Sequence, residues 1–256
     1  MALSTAEIKK MLENAGIEDV PMLCKGFETD ERKSVAKLCA SFMKKYNNHI
    51  SELKRLEEMA YFETMLYNEG YSLIGGIDEV GRGPLAGPVA AACVVLKRDS
   101  RIVGINDSKK LSAARREELC AIIKDEAVSW GVGIVSPAVI DDINILQATY
   151  EAMRTAVKNM GIHPEYVLAD AVTIPSLGIP QKGIIKGDAK SMSIAAASIV
   201  AKVERDAIMD EYAKIYPEYG FDSNKGYGSS EHIEAIKKYG LTPIHRLSFV
   251  KNIVEV

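Results

Sequence analysis

The stretch Gly76-Ile77-Asp78-Glu79-Val80-Gly81-Arg82-Gly83-Pro84-Leu85-Ala86-Gly87-Pro88-Val89 sets two adjacent acids between an apolar run and a glycine loop. The residues from Leu73 onward have strand character, so Asp78 and Glu79 stand where a strand ends. Neighbouring carboxylates repel, and burying either is costly unless a cation or hydrogen-bond donors compensate. A strand ending this way invites a divalent cation. The glycines that follow let backbone approach a ligand closely.

Working outward, Leu73–Asp78 and Pro88–Lys97 read as apolar strands joined by the glycine loop, and Trp130–Val135 as a third. Helix patterns occupy Ala113–Val128 and Ile145–Met160. Tyr166–Ala169 reads as a strand that delivers Asp170 at its end, and Gly183–Ile185 as another leading into Gly187. This alternation predicts an α/β fold, a mixed sheet flanked by helices. The first seventy residues differ. Ser4 and Glu7 make a capping-box pattern with Gly16 as a stop, and helical stripes run over about Asp30–Lys45 and Ile50–Asn68. The expected domains are a helical extension over 1–70 and a catalytic domain over 71–256, whose last part, from about 215, is helical.

Composition bounds the function. The 256 residues are 47% hydrophobic and 26% charged, an ordinary globular balance. No apolar run is long enough to span a bilayer, and Met1–Leu12 lacks the core of a signal peptide, so a cytoplasmic protein with no membrane association is expected. Cys24, Cys39, Cys93 and Cys120 have no paired spacing and read as reduced core thiols, without support for zinc. A net charge of -3 argues against nonspecific coating of nucleic acid. Lys182, Lys186, Lys190, Lys202 and Arg205 nonetheless outweigh Asp188 and Glu204 in one window, which suggests a face turned to phosphate.

Four segments carry a family resemblance. They are the Asp78 loop, Val167-Leu168-Ala169-Asp170, the run from Lys186-Gly187-Asp188-Ala189-Lys190-Ser191 to Asp206, and Gly226-Tyr227-Gly228 with His245-Arg246-Leu247-Ser248-Phe249. From about Ser72 to Phe249 the chain resembles bacterial ribonuclease HII. The resemblance implies a ribonuclease H-like fold with a five-stranded mixed sheet. It implies an endoribonuclease that cuts the RNA strand of RNA/DNA hybrids and the 5′ side of single ribonucleotides in duplex DNA, leaving 3′-hydroxyl and 5′-phosphate ends. Its partners would be those nucleic acids, with no obligate protein partner and a monomeric state. Two departures stand out: Ser229 lies where the family frequently has threonine, and Val250–Val256 shows no clear clamp-binding peptide.

The resemblance makes Asp78 the bridge between two metal ions, Glu79 and Asp170 ligands, and Asp188 the fourth acid. Four acids without a histidine cluster suit Mg2+ or Mn2+. By residue type alone, Glu79 could be a salt-bridged surface acid, Asp170 a turn former and Asp188 the cap of the following helix. Lys186 or Lys190 could hold phosphate near that helix start, and Ser191 is counted with Lys186 among the substrate contacts. The resemblance casts Gly81-Arg82-Gly83 as the sensor of a 2′-hydroxyl and Tyr227 as the residue packed on the following sugar. His245 and Arg246 read as structural packing or phosphate contacts.

Rival readings are weaker. Neither Gly87-Pro88 nor Gly187-Asp188-Ala189-Lys190-Ser191 has the order of a nucleotide-binding P-loop. A silent hybrid-binding module would lack acids that are present here. The sister type, ribonuclease HIII, shares the catalytic core but is expected to carry a sheet-containing N-terminal platform and a different fourth acid.

Overall fold

The computed structural model describes residues 3–253, so Val254–Val256 of the C-terminal stretch lies outside them. The chain forms two compact units divided between Glu58 and Met59.

The first unit is helical. Helix α1 (Thr5–Asn14) opens with the expected capping box: the Ser4 hydroxyl accepts from the Glu7 amide, and the Glu7 carboxylate accepts from the Ser4 amide at 2.7 Å. A short α2 (Val20–Lys25), absent from the sequence reading, starts with Pro21 in its first turn. Helix α3 (Lys33–Met59) is continuous where two helices were expected. The polar residues Tyr46-Asn47-Asn48-His49 contain neither Gly nor Pro, so nothing local stops the helix there. Ile8, Leu12, Val20, Cys24, Val35 and Phe42 form the buried core of this unit.

The second unit begins with the end of α3 and α4 (Tyr61–Asn68), ahead of the expected boundary at position 70. The reason is packing: Leu66 of α4 shares a buried cluster with Ile74, Leu168, Ile184 and Ile194. The sheet follows as β1 (Ile74–Val80) and β2 (Val89–Val95). Helix α5 (Ala113–Glu126), β3 (Ser129–Val135), α6 (Pro137–Lys158), β4 (Tyr166–Asp170) and β5 (Gln181–Ile184) complete it. Helix α6 starts earlier than expected because Ser136 caps it and Pro137 suits a first turn; Asn144, at φ 67°, breaks it internally. The strand order is β3-β2-β1-β4-β5, with β1, β2 and β3 antiparallel and β1, β4 and β5 parallel.

Helices cover both faces. Ile77, Ala91 and Cys93 pack with Ala152, Met153 and Ala156 of α6 on one side. On the other lies the apolar α7 (Met192–Ile215). A Cβ on Gly76 would stand 2.0 Å from the Ser193 backbone, so only glycine lets the first turn of α7 seat on β1. The chain ends in α8 (Phe221–Asn224), α9 (Ser230–Tyr239) and α10 (Leu247–Val250), whose core of Tyr219, Phe221, Ile236 and Val250 includes Ala86 of the glycine loop. All four cysteines are free. Among the described residues no helix is long and apolar enough to cross a membrane.

Candidate active site

The decisive acids meet at one edge of the sheet. Strands β1 and β4 run parallel with Ile77 opposite Ala169, so Asp78 and Asp170 are the next residues on neighbouring strands. Period-two alternation turns Asp78 to the α7 side, as it does Gly76. There Asp78 is 5% exposed, with one oxygen accepting from the Glu79 amide at 2.8 Å, and the Ser198 hydroxyl of α7 favours its charged form. Asp188 arrives from a 3-10 turn, Gly187–Ala189, immediately before α7. The Gly187 amide donates to Asp170 at 2.7 Å, which ties this turn to the end of β4.

Electrostatics mark the cluster. Burial pushes Asp78 well above the usual carboxylate range; Glu79 and Asp170 add repulsion, and the Ser198 hydroxyl only partly opposes it. Glu79 is raised by burial, against the pull of Arg82 at 3.3 Å. Asp188 is raised by burial and then by Asp107 and Asp170, with Lys109 opposing. Burial alone would lower Lys109, but Asp107, Asp78, Asp188 and Asp170 outweigh it and hold the ammonium charged. Burial and mutual repulsion thus penalise the charged forms of these acids, and Arg82 and Lys109 only partly offset the penalty.

Asp107 and Lys109 escaped the sequence reading. They sit in a loop where the Asp107 side chain accepts from the Lys109 amide at 2.9 Å, and Ser108 meets Ser198 at 2.9 Å. Arg116 holds the loop through the carbonyls of Ser108 and Leu111. Their only signal in sequence was turn chemistry, Asn106-Asp107-Ser108, between β2 and α5. An open cleft of about 490 Å3 is lined by Asp107, Lys109, Asp170, Lys186 and Asp188. Ala171 and Lys186 border it with left-handed backbone, φ 54° and 58°, an uncommon state for such residues.

The glycine loop is fixed from beneath. Arg246, fully buried, donates to the carbonyls of Gly81, Arg82 and Gly87 at 2.6 to 3.0 Å. Arg205, also fully buried, donates to Ala86, Pro88 and Lys225. Gly81 has φ 89° and lies so close to Arg205 that a Cβ would stand 2.2 Å from its Nε. Arg82 and Gly83 remain exposed. Tyr227, 44% exposed, stands beside Gly83, and the Gly226 carbonyl accepts from the Leu85 and Ala86 amides. Residues far apart in sequence thus share one rim.

The structure corrects three expectations, Ser191 as a substrate contact, phosphate at the start of α7 and a basic window turned wholly to phosphate, and it decides the alternatives left open at Asp188 and at His245 and Arg246. Ser191 is fully buried: its hydroxyl caps α7 and donates to Glu63 at 2.6 Å, so it cannot touch a substrate. The start of α7 is likewise already filled by Ser191 and Glu63, which leaves no helix terminus for phosphate beside Lys190. Asp188 is not the helix cap, because Ser191 is. Of the basic window, Arg205 is buried and Lys202 is paired with Asp206 at 2.7 Å; Lys186 and Lys190 are exposed. His245 and Arg246 belong to packing, not to phosphate.

Among the described residues no group of three or more His, Cys, Asp or Glu side chains is already drawn up as a cation cage. The donor set still fits a hard divalent ion, since under-compensated carboxylates from three elements crowd one strand edge. A family model, Ribonuclease HII, matches residues 75–252, and a second, Ribonuclease HII N-terminal domain, matches 4–67. The chain belongs to the ribonuclease HII family. It is 55% identical to Ribonuclease HII of Clostridioides difficile (strain 630), over 98% of each chain. The match to Ribonuclease HII of Caldanaerobacter subterraneus subsp. tengcongensis is 57% over 80% of this chain and 85% of that one. Among solved structures, the ribonuclease H2 from Pyrococcus horikoshii OT3 matches with TM-score 0.60 and 29% identity, covering 71% of this chain and 96% of its own. Bst-RNase HIII in complex with Mn2+, at TM-score 0.55 and 18% identity over 69% and 67% of the two chains, shares the fold. The protein is thus an endoribonuclease of the ribonuclease H type, a phosphodiester hydrolase.

Proposed function

We propose that this endoribonuclease cuts the RNA strand of RNA/DNA hybrids and the 5′ side of single ribonucleotides in duplex DNA, leaving 3′-hydroxyl and 5′-phosphate ends. One observation carries the reading: the crowded acids Asp78, Glu79, Asp170 and Asp188 lie in the same unit as the clamped loop whose exposed rim pairs Gly83 with Tyr227. Asp78, Glu79, Asp170 and Asp188 would hold divalent ions, Mg2+ or Mn2+. A bound pair of such ions supplies an activated water and offsets charge on the phosphodiester.

The protein's own residues do the rest. Arg246 and Arg205 immobilise the loop, so the exposed Arg82 and Gly83 backbone meets the ribose in a fixed position. A rigid backbone edge can pair with a 2′-hydroxyl and leave an unmatched deoxyribose poorly held. Tyr227 offers an aromatic face to the next sugar, where an additional hydroxyl would crowd it. Lys109 and Lys186 border the cleft and would neutralise phosphates. The expected outcome with a labelled duplex carrying one ribonucleotide is a single cut on its 5′ side, dependent on Mg2+ or Mn2+ and abolished by chelator, with an all-DNA duplex intact. Cutting confined to long RNA tracts would contradict the reading.

A further inference from the structure

Glu63 lies on α4, in the segment matched by the N-terminal family model yet inside the second unit, and it is 7% exposed. Its Oε1 accepts from the Ser191 hydroxyl at 2.6 Å, the Ser193 hydroxyl at 2.6 Å and the Ser193 amide at 3.0 Å. Three donors on one buried oxygen, at the start of a 24-residue helix, make a strong anchor, since a carboxylate there satisfies free amides and meets the positive end of the helix. Its partner oxygen, Oε2, is buried without a bond of its own and lies, with the unpartnered Ser100 hydroxyl, at a cavity of about 50 Å3.

What the anchor holds is the turn that carries Asp188. The Ser191 amide donates to the Gly187 carbonyl at 2.8 Å, and the Gly187 amide donates to Asp170 at 2.7 Å. The turn is therefore pinned at one end by an acid of the site and at the other by Glu63 through Ser191. Ser193 is also the residue that seats on Gly76, two positions before Asp78 on β1. We infer that Glu63 is a positioning residue for the active site: through Ser191 and Ser193 it fixes the Gly187–Ala189 turn and the first turn of α7, and so sets Asp188 against Asp170 and Asp78. The effect on metal binding rests on the function proposed above; the effect on the turn does not.

Glu63→Ala and Glu63→Gln test this, compared with the full-length wild type at a temperature where each is folded. Three quantities are read: amide hydrogen exchange without metal, divalent-ion affinity by calorimetry with Mn2+, and the split between kcat and KM. Glu63→Ala is expected to speed exchange at Gly187 and Ser193 about tenfold or more, leaving α9 unchanged. It should weaken Mn2+ binding about tenfold and lower kcat, with KM for the duplex unchanged, as loss of a group behind the ligands does. Glu63→Gln keeps an acceptor for the serines and can turn its amide towards Ser100, so it should recover most of each effect. Should Glu63→Ala not fold, Ser193→Ala must reproduce the same pattern at smaller size. Unchanged exchange at Gly187 and Ser193 in a folded variant overturns the inference, as does a loss spread evenly over the unit. A wild type that binds no Mn2+ would instead sink the proposed function, while the exchange result still decides the role of Glu63.

Discussion

Two charged regions of the second unit are built on opposite principles. At the Arg205–Arg246 clamp, two fully buried cations each find backbone carbonyls in reach of their donors, and burial with mutual repulsion still pushes Arg246 down to about 9. At the acid edge, carboxylates crowd together with Lys109 and Arg82 as partial compensation, and their affinity for protons rises. The clamp is charge put to structural use, because its polar groups are matched inside the protein. The acid edge is charge left open to an incoming ligand, the pattern expected of a functional site. Stability and activity should therefore separate between the two regions.

The sharpest break comes from Asp78→Asn. It keeps an acceptor for the Glu79 amide and removes a repelled charge, so kcat should fall at least about 10^3-fold, ~4 kcal/mol in barrier, while the melting temperature holds or rises. Steady-state cleavage beside calorimetry reads both. Arg246→Met should do the reverse to stability. It orphans the carbonyls of Gly81, Arg82 and Gly87 and should cost about 3 kcal/mol, a melting drop of roughly 10 °C by the same calorimetry.

A smaller effect concerns the histidines behind Tyr227. His232 Nδ1 donates to the Tyr227 carbonyl at 2.8 Å, and His245 Nδ1 accepts from the Thr242 amide at 2.9 Å, so His245 Nε2 must donate to His232 Nε2 at 3.1 Å. Both rings are neutral. Burial and the neighbouring ring hold His245 down to about 4 from an ordinary 6.5, and burial lowers His232. In this window the unfolded chain takes up protons that the two folded rings refuse, so the histidine pair's contribution to stability should fall from about pH 6.5 towards pH 4, while the raised acids Asp78, Glu79 and Asp188 act in the opposite sense. Melting curves across that range check it, with less stability lost in His245→Asn than in wild type. The mildest change is Tyr227→Ala at an exposed rim. Melting should stay within about 0.5 kcal/mol of wild type, while preference for the ribonucleotide junction over an internal site of an RNA tract should drop about tenfold in competitive cleavage.

How much of this was legible follows the same division. Asp78, Glu79 and Asp170 could be read because each follows an apolar strand run, within two residues of the end of β1 or at the end of β4, and such a run is a local property. The sheet was legible for the same reason, as apolar runs punctuated by glycine. Arg205 was not, since an arginine in a basic window reads as surface charge, and Arg246 was legible only as packing or a phosphate contact; tertiary carbonyls 20 to 165 residues away are what make their burial tolerable. Ser191 misled for the complementary reason: its polarity is spent on Glu63, 128 positions earlier. The long α3 hid because polar residues in mid-helix look like a break when no glycine or proline marks one.

The most direct test of the acid edge as an ion-binding site is thermal melting of wild type and Asp78→Asn, each with and without Mn2+. The account predicts that the ion raises the melting temperature of the wild type, since binding to the folded state stabilises it. It predicts little or no shift in Asp78→Asn, which without metal should melt at or above the metal-free wild type. Equal shifts in both proteins, or none in the wild type, would contradict it.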